Sequence, residues 1–158
     1  MSASTTVGYM ERTREYYAAY GYEVPYKWAH FDSVPFSPLK KPLSECRVTV
    51  VTTAMPDPSY TKKSRRLANL DPLALPTSLY TDELSWDHEA THTDDVQSFL
   101  PSEQLERRIE QGQLGSLSRQ FHCIPTTYSH RQTIERDAPA IVAACIEDAV
   151  DVALLIPL

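Results

Sequence analysis

The chain has 158 residues, a formal net charge of −6 and 42% hydrophobic residues, enough for one domain with a moderate core. The acidic balance disfavours non-specific nucleic-acid binding. The three cysteines, Cys46, Cys123 and Cys145, are far apart and odd in number. They form neither a disulfide framework nor a CxxC pair, which fits a reducing, cytoplasmic setting.

Met1 to Thr6 is polar, without a basic start and an apolar core, and reads as no signal peptide. No apolar run has the length of a membrane span. The four glycines, Gly8, Gly21, Gly112 and Gly115, form no phosphate-cradling loop, so nucleotide binding has no support.

Val7 to Tyr20 predicts an amphipathic helix, with Tyr9, Thr13, Tyr16, Tyr17 and Tyr20 at helical spacing and Gly21 as its stop. Its tyrosine face suits docking, either on its own domain or on a second subunit. Tyr22 to Pro42 is rich in proline and aromatics and reads as an extended arm whose Trp28 and Phe31 cover apolar area. Residues 1–43 are therefore expected to form an N-terminal helix and arm, and 44–158 an α/β domain.

Arg47 to Thr53 is the first clear strand, rich in β-branched residues. In open α/β sheets ligands bind beyond the carboxyl ends of strands, so Thr52 and Thr53 are expected to line a cleft. Ser59 to Leu84 reads as loop, with a basic run from Lys62 to Arg66. Val96 to Leu100 reads as a short strand or extended piece. Pro101 to Gln111 is a helix by its N-terminal proline and acids and its Gly112 stop. Phe121 to Ile124 reads as a strand. His130 to Asp148 is helical, with Ile134, Ile141, Val142, Cys145 and Ile146 inward and Pro139 as a kink or restart.

Val152 to Leu158 is a continuous apolar run that reads as a buried strand of a parallel sheet. A domain seldom stops on an uncovered apolar strand, so the chain is expected to be the front part of a longer protein, incomplete at its C-terminal side.

The segment richest in ligand-type side chains runs from Ser85 to Asp95. His88-Glu89-Ala90-Thr91-His92 matches HExxH, which on a helix sets two imidazoles on one face for zinc and a glutamate as general base. Its polar flanks lack an apolar stripe and no third ligand comes after it at the usual spacing. The segment is therefore expected to be loop and to hold no stoichiometric zinc. His88, His92, Asp94 and Asp95 then remain as a small-molecule or metal site without that zinc geometry, or as a hydrated loop whose acids cap the next element. His122 and Cys123 are adjacent, so on a strand they point to opposite faces and make a weak thiol–imidazole pair.

Taken together, these segments resemble the N-terminal part of the selenoprotein B family, which includes the B component of glycine, sarcosine and betaine reductases and its D-proline reductase relatives. The likeness covers nearly the whole chain. It is carried by Arg14-Glu15-Tyr16-Tyr17, Gly21-Tyr22-Glu23, Pro25-Tyr26-Lys27-Trp28-Ala29-His30-Phe31 and Pro38-Leu39-Lys40-Lys41-Pro42-Leu43. Further along come Val50-Val51-Thr52-Thr53-Ala54, His92-Thr93-Asp94-Asp95-Val96, Phe99-Leu100-Pro101 and Gly115-Ser116-Leu117-Ser118-Arg119. Asp137-Ala138-Pro139, Asp148 and Val152 to Leu158 complete it. No single piece is specific; their order and spacing are.

The resemblance implies a reductase acting on a small amino-acid-derived substrate through a selenocysteine or cysteine, with a second cysteine two residues on. In the family this centre comes directly after the strand that ends here, so no catalytic residue and no cofactor is expected within the chain. Thr52, Thr53, His88, His92, Asp94 and Asp95 would form the substrate wall. An electron-donor protein with a thiol or selenol would be the partner, and a homo-oligomer is an open alternative. A zinc hydrolase using His88, Glu89 and His92 is the first rival. A non-catalytic partner subunit is the second.

Overall fold

The computed structural model describes residues 8–25, 27, 29–57, 66–80, 92–127 and 129–157. The chain divides into two units, Met1–Phe36 and Ser37–Leu158.

The first unit holds α1, Tyr9–Ala19. Gly21 ends it at φ +85°, a conformation that costs glycine little, and the N–H of Tyr22 returns to the Tyr17 carbonyl. No residue of α1 is buried. Its tyrosines pack on one another instead, Tyr16 edge-on to Tyr17 at 5.6 Å and tilted on Tyr20 at 4.8 Å between ring centroids. In the arm beyond Gly21, Phe31, Val34 and Phe36 are exposed, and Trp28 lies outside the described residues.

The second unit is an α/β fold around a mixed, mostly parallel sheet. Its axis is β1, Arg47–Thr52, nearly all buried as its run of valines and threonines demands. On one side β5, Val152–Ile156, pairs with β1 in parallel from Val48↔Val152 to Thr52↔Ile156. On the other side β1 pairs in parallel first with β3, Ser116–Leu117, and then with β4, Phe121–Cys123. The short β2, Ala68–Leu70, lies antiparallel on the far side of β4.

β3 and β4 are two halves of one strand line. Leu117 is level with Val48 and His122 with Val51, so two residues of β1 (Thr49 and Val50) face four, Ser118 to Phe121. The surplus forms a bulge. It is tied down by the Thr49 hydroxyl donating to the Gln120 carbonyl at 2.8 Å and by the Ser118 N–H donating to the Val48 carbonyl at 2.8 Å.

One face of the sheet carries the core: Val50, Ala68, Phe121 and Cys123 pack with Ala54, Met55, Leu79, Val96 and Leu100. The helix α2, Ser102–Glu110, starts after Pro101 and closes at Gly112, in line with its sequence signals.

Four expectations are corrected. Ala68–Leu70, inside the stretch read as loop, is the strand β2, held by its pairing with β4. Val96–Ser98 is a 3-10 turn, not a strand, because Asp95 caps it by accepting hydrogen bonds from the Gln97 N–H at 3.1 Å and the Ser98 hydroxyl at 2.8 Å. The region from His130 to Glu147 is α3, His130–Gln132, then a π-turn over Thr133–Asp137, then α4, Ala138–Glu147. The inward stripe of this region is Asp137, Ile141, Ala144, Cys145 and Asp148, while Ile134, Val142 and Ile146 are exposed. The wide turn shifts the helical phase, and only one narrow edge of α4 is covered. Finally, β5 is not a buried strand: among the described residues it pairs only with β1, and Leu155 is 74% exposed.

Candidate functional site

The carboxyl ends of the parallel strands gather Thr52 with Cys123 on one side and Ile156 on the other. Thr52 is buried, and its hydroxyl accepts from the Ala54 N–H at 3.2 Å, which turns the chain out of β1. Cys123 is buried among apolar groups, and that desolvation pushes its thiol up to about 12, so it stays a neutral thiol at physiological pH. Thr53 is half-buried beside them.

The loop holding the other expected residues is tethered towards this end. The Thr93 hydroxyl donates to the Leu79 carbonyl at 3.4 Å, and the Tyr80 N–H donates to the Met55 carbonyl at 2.8 Å, three residues past Thr52. On that loop His92 Nδ1 lies 3.6 Å from Asp94 Oδ2, and both side chains are well exposed. Asp94 borders an open cleft of about 480 Å³ with Leu73, Leu75, Gln97, Glu103 and Glu106. Asp95 is occupied as the cap of the 3-10 turn. His88 and Glu89 lie outside the described residues, and with them the HExxH geometry. Among the described residues, no three or more His, Cys, Asp or Glu side chains are grouped to hold a metal ion.

Among the described residues a dense polar cluster lies elsewhere, at the amino ends of β1 and β5, and sequence reading missed it. Asp148, covered at the end of α4, accepts at Oδ1 from Arg47 Nη1 at 2.9 Å and from Arg119 Nε at 2.8 Å. Its Oδ2 accepts from the Arg119 backbone N–H at 2.6 Å, so this carboxylate caps the bulge between β3 and β4. Burial alone would push the Asp148 carboxyl up; the Arg119 hydrogen bonds and the two guanidinium charges outweigh it, and the group titrates below the ordinary carboxylate range. Next to it, Asp151 accepts from Lys41 Nζ and from the Arg47 N–H, both at 2.8 Å, which lowers its carboxyl as well. On β4 the buried His122 offers Nδ1 to Asn69 Oδ1 at 2.8 Å.

The only signal for this cluster in the sequence was Asp148 standing just ahead of an apolar strand. Compared with known proteins, the chain matches no family model, no curated protein and no solved structure. Among the described residues, no helix is long and apolar enough to cross a membrane.

Proposed function

We propose that the chain is the N-terminal portion of a selenoprotein-B-like reductase acting in the cytoplasm on a small amino-acid-derived molecule. The order and spacing of its motifs support this, and one structural observation carries it. β5 runs parallel to β1 with Ile156 level with Thr52. A selenocysteine or cysteine placed after Leu158 would then emerge at the sheet end that holds Thr52 and Thr53, towards which the His92–Asp95 loop is tethered. A selenol or thiol between a strand's end and the next helix's first turn has its anion stabilised by backbone N–H groups and the helix dipole, as a nucleophile requires. A thiol or selenol donor protein would return it to the reduced state.

The gene tests this without protein. Codon 159 is expected to be UGA, with the frame open beyond it and a cysteine codon two positions later. The read-through product should cleave one of glycine, sarcosine, betaine or D-proline with a dithiol as reductant, and lose that activity when residue 159 becomes alanine. A UAA or UAG at codon 159, or further stops directly after a UGA, removes the proposal.

A further inference from the structure

The outer edge of the sheet, at β5, carries backbone groups that no described residue meets. The carbonyls of Val48 and Thr52 accept from the N–H groups of Ser118 and Ile124, so alternate residues of β1 turn towards β3 and β4. Thr49 and Val51 turn the other way, towards β5, where they stand level with Ala153 and Leu155. In a parallel pair the slanted bonds of a residue reach the two neighbours of the one level with it. Val152, Leu154 and Ile156 therefore bond to β1, and Ala153 and Leu155 turn their N–H and C=O groups outward. Both residues are exposed, and among the described residues β5 has no second neighbour. The strands β2 and β3 are blunted by length, with three residues and two. β5 has five, all aliphatic, with no charge, proline or bulge to guard it.

An apolar shelf continues this edge. Leu155 and His122 are both level with Val51, so they share one face of the sheet. The helix α4 lies over that face: its Ala144 and Glu147 line a cavity with His122 and Ser118, on the β4 side of β1. At about 100° per residue, Val142 and Ile146 fall on the opposite flank of α4, the β5 side. They are 55% and 75% exposed. Exposed apolar surface beside an open strand edge marks an interaction site.

We propose that β5 is the seam of a homodimer, in which two copies of the chain pair their β5 strands antiparallel about a two-fold axis at Leu154. Symmetry singles out this occupant. With Leu154 opposite Leu154 of the second copy, Ala153 exchanges both backbone hydrogen bonds with Leu155 of the second copy, and Leu155 with Ala153. No outward N–H of β5 is then left over. Centring on Ala153 would call on the Asp151 N–H, already given to the Arg47 carbonyl, and centring on Leu155 would call on Pro157, which has none. The register also opposes no like charges: Asp151 falls level with Pro157, and its carboxylate is held by Lys41 and the Arg47 N–H. An axis normal to the sheet keeps both copies of α4 on one face, with Val142 and Ile146 flanking the seam from either side. The pairing is short against stable interfaces of about 1,200–2,000 Å², so a dissociation constant of about 1–100 μM is expected. This dimer stands independently of the reductase reading, which codon 159 decides.

The test is sedimentation equilibrium of the full chain from low micromolar to near-millimolar concentration, where association should close at two copies. Amide exchange should slow at Ala153 and Leu155 as concentration rises, while Leu154 and Ile156, bonded to β1, keep their rates. Leu154→Cys should give a disulfide between copies, located by peptide mapping, because a non-hydrogen-bonded antiparallel pair stands about 4.5 Å apart at Cα. Leu155→Lys and Ile146→Lys, both exposed changes, should melt like the parent and weaken association about tenfold or more, since each acts twice in a symmetric dimer. A chain that stays monomeric throughout, growth beyond two copies, exchange at Ala153 and Leu155 that ignores concentration, or a dimer that Leu155→Lys leaves unchanged would each overturn the proposal.

Discussion

Replacing Asp148 by asparagine keeps the shape of the side chain and removes its charge. Three hydrogen bonds end on that carboxylate: two from guanidinium groups and one from the backbone N–H that shapes the bulge. Hydrogen bonds to a charged group contribute about 1.5–3 kcal/mol each, and breaking a fully buried pair costs about 3–5 kcal/mol. Asp148 is covered, but Arg47 and Arg119 are 39% and 65% exposed and regain water once it is gone. Asparagine also keeps one acceptor oxygen. The expected loss is about 2–3 kcal/mol at pH 7, or about 5–10 °C in melting temperature for a chain of this length.

The pH dependence carries the stricter test. The folded Asp148 carboxyl titrates below the ordinary value, so its stabilisation is complete above the unfolded pKa, near about 4, and is lost as pH falls through the folded pKa. Melting curves of parent and Asp148→Asn, recorded by circular dichroism, should differ by a constant amount at neutral pH and converge below about pH 4. A variant that melts within about 1 °C of the parent at pH 7, or a gap that persists unchanged into acid, would refute the assignment of Asp148 as the electrostatic cap of the bulge.

Cysteine reactivity should track burial. Iodoacetamide at mild alkaline pH should label Cys145 of the native chain first and leave Cys123, held near 12, and the buried Cys46 untouched until denaturant is added, as read by peptide mass spectrometry. Gly115→Ala should destabilise by about 1–3 kcal/mol or more, since an added Cβ would stand 2.6 Å from the Cys46 carbonyl oxygen and from Glu45 backbone carbon; denaturant unfolding measures it. Leu155→Lys should change stability by less than about 0.5 kcal/mol, because that side chain is exposed, while reducing any self-association seen by sedimentation.

Local chemistry in the chain was sufficient for the elements it dictates directly. The valines and threonines of β1, the proline, acid and glycine signals around α2, and the glycine stop of α1 all stand where composition puts them. The apolar run at Val152 was legible as a parallel strand, because β-branched and aliphatic residues bounded by Asp148 and Asp151 admit little else. Its burial was not legible. Periodicity reports that a strand is apolar, but only the arrangement of neighbours decides how much of it is covered.

The same limit explains the candidate sites. The end of β1 at Thr52 was reachable because strand ends are local features. The bulge was not, since its two surplus residues exist only relative to β1, across a chain separation of about seventy residues. Asp148 meets Arg47 from 101 residues away and Arg119 from 29, and His122 meets Asn69 from 53. Sequence by itself determined the elements whose signals are local, α1, β1, α2 and β5, through propensities acting over a few neighbours. The tertiary structure alone decided which charges meet, because Coulomb and hydrogen-bond energies fall off over a few ångströms and only the folded chain brings those groups within that range.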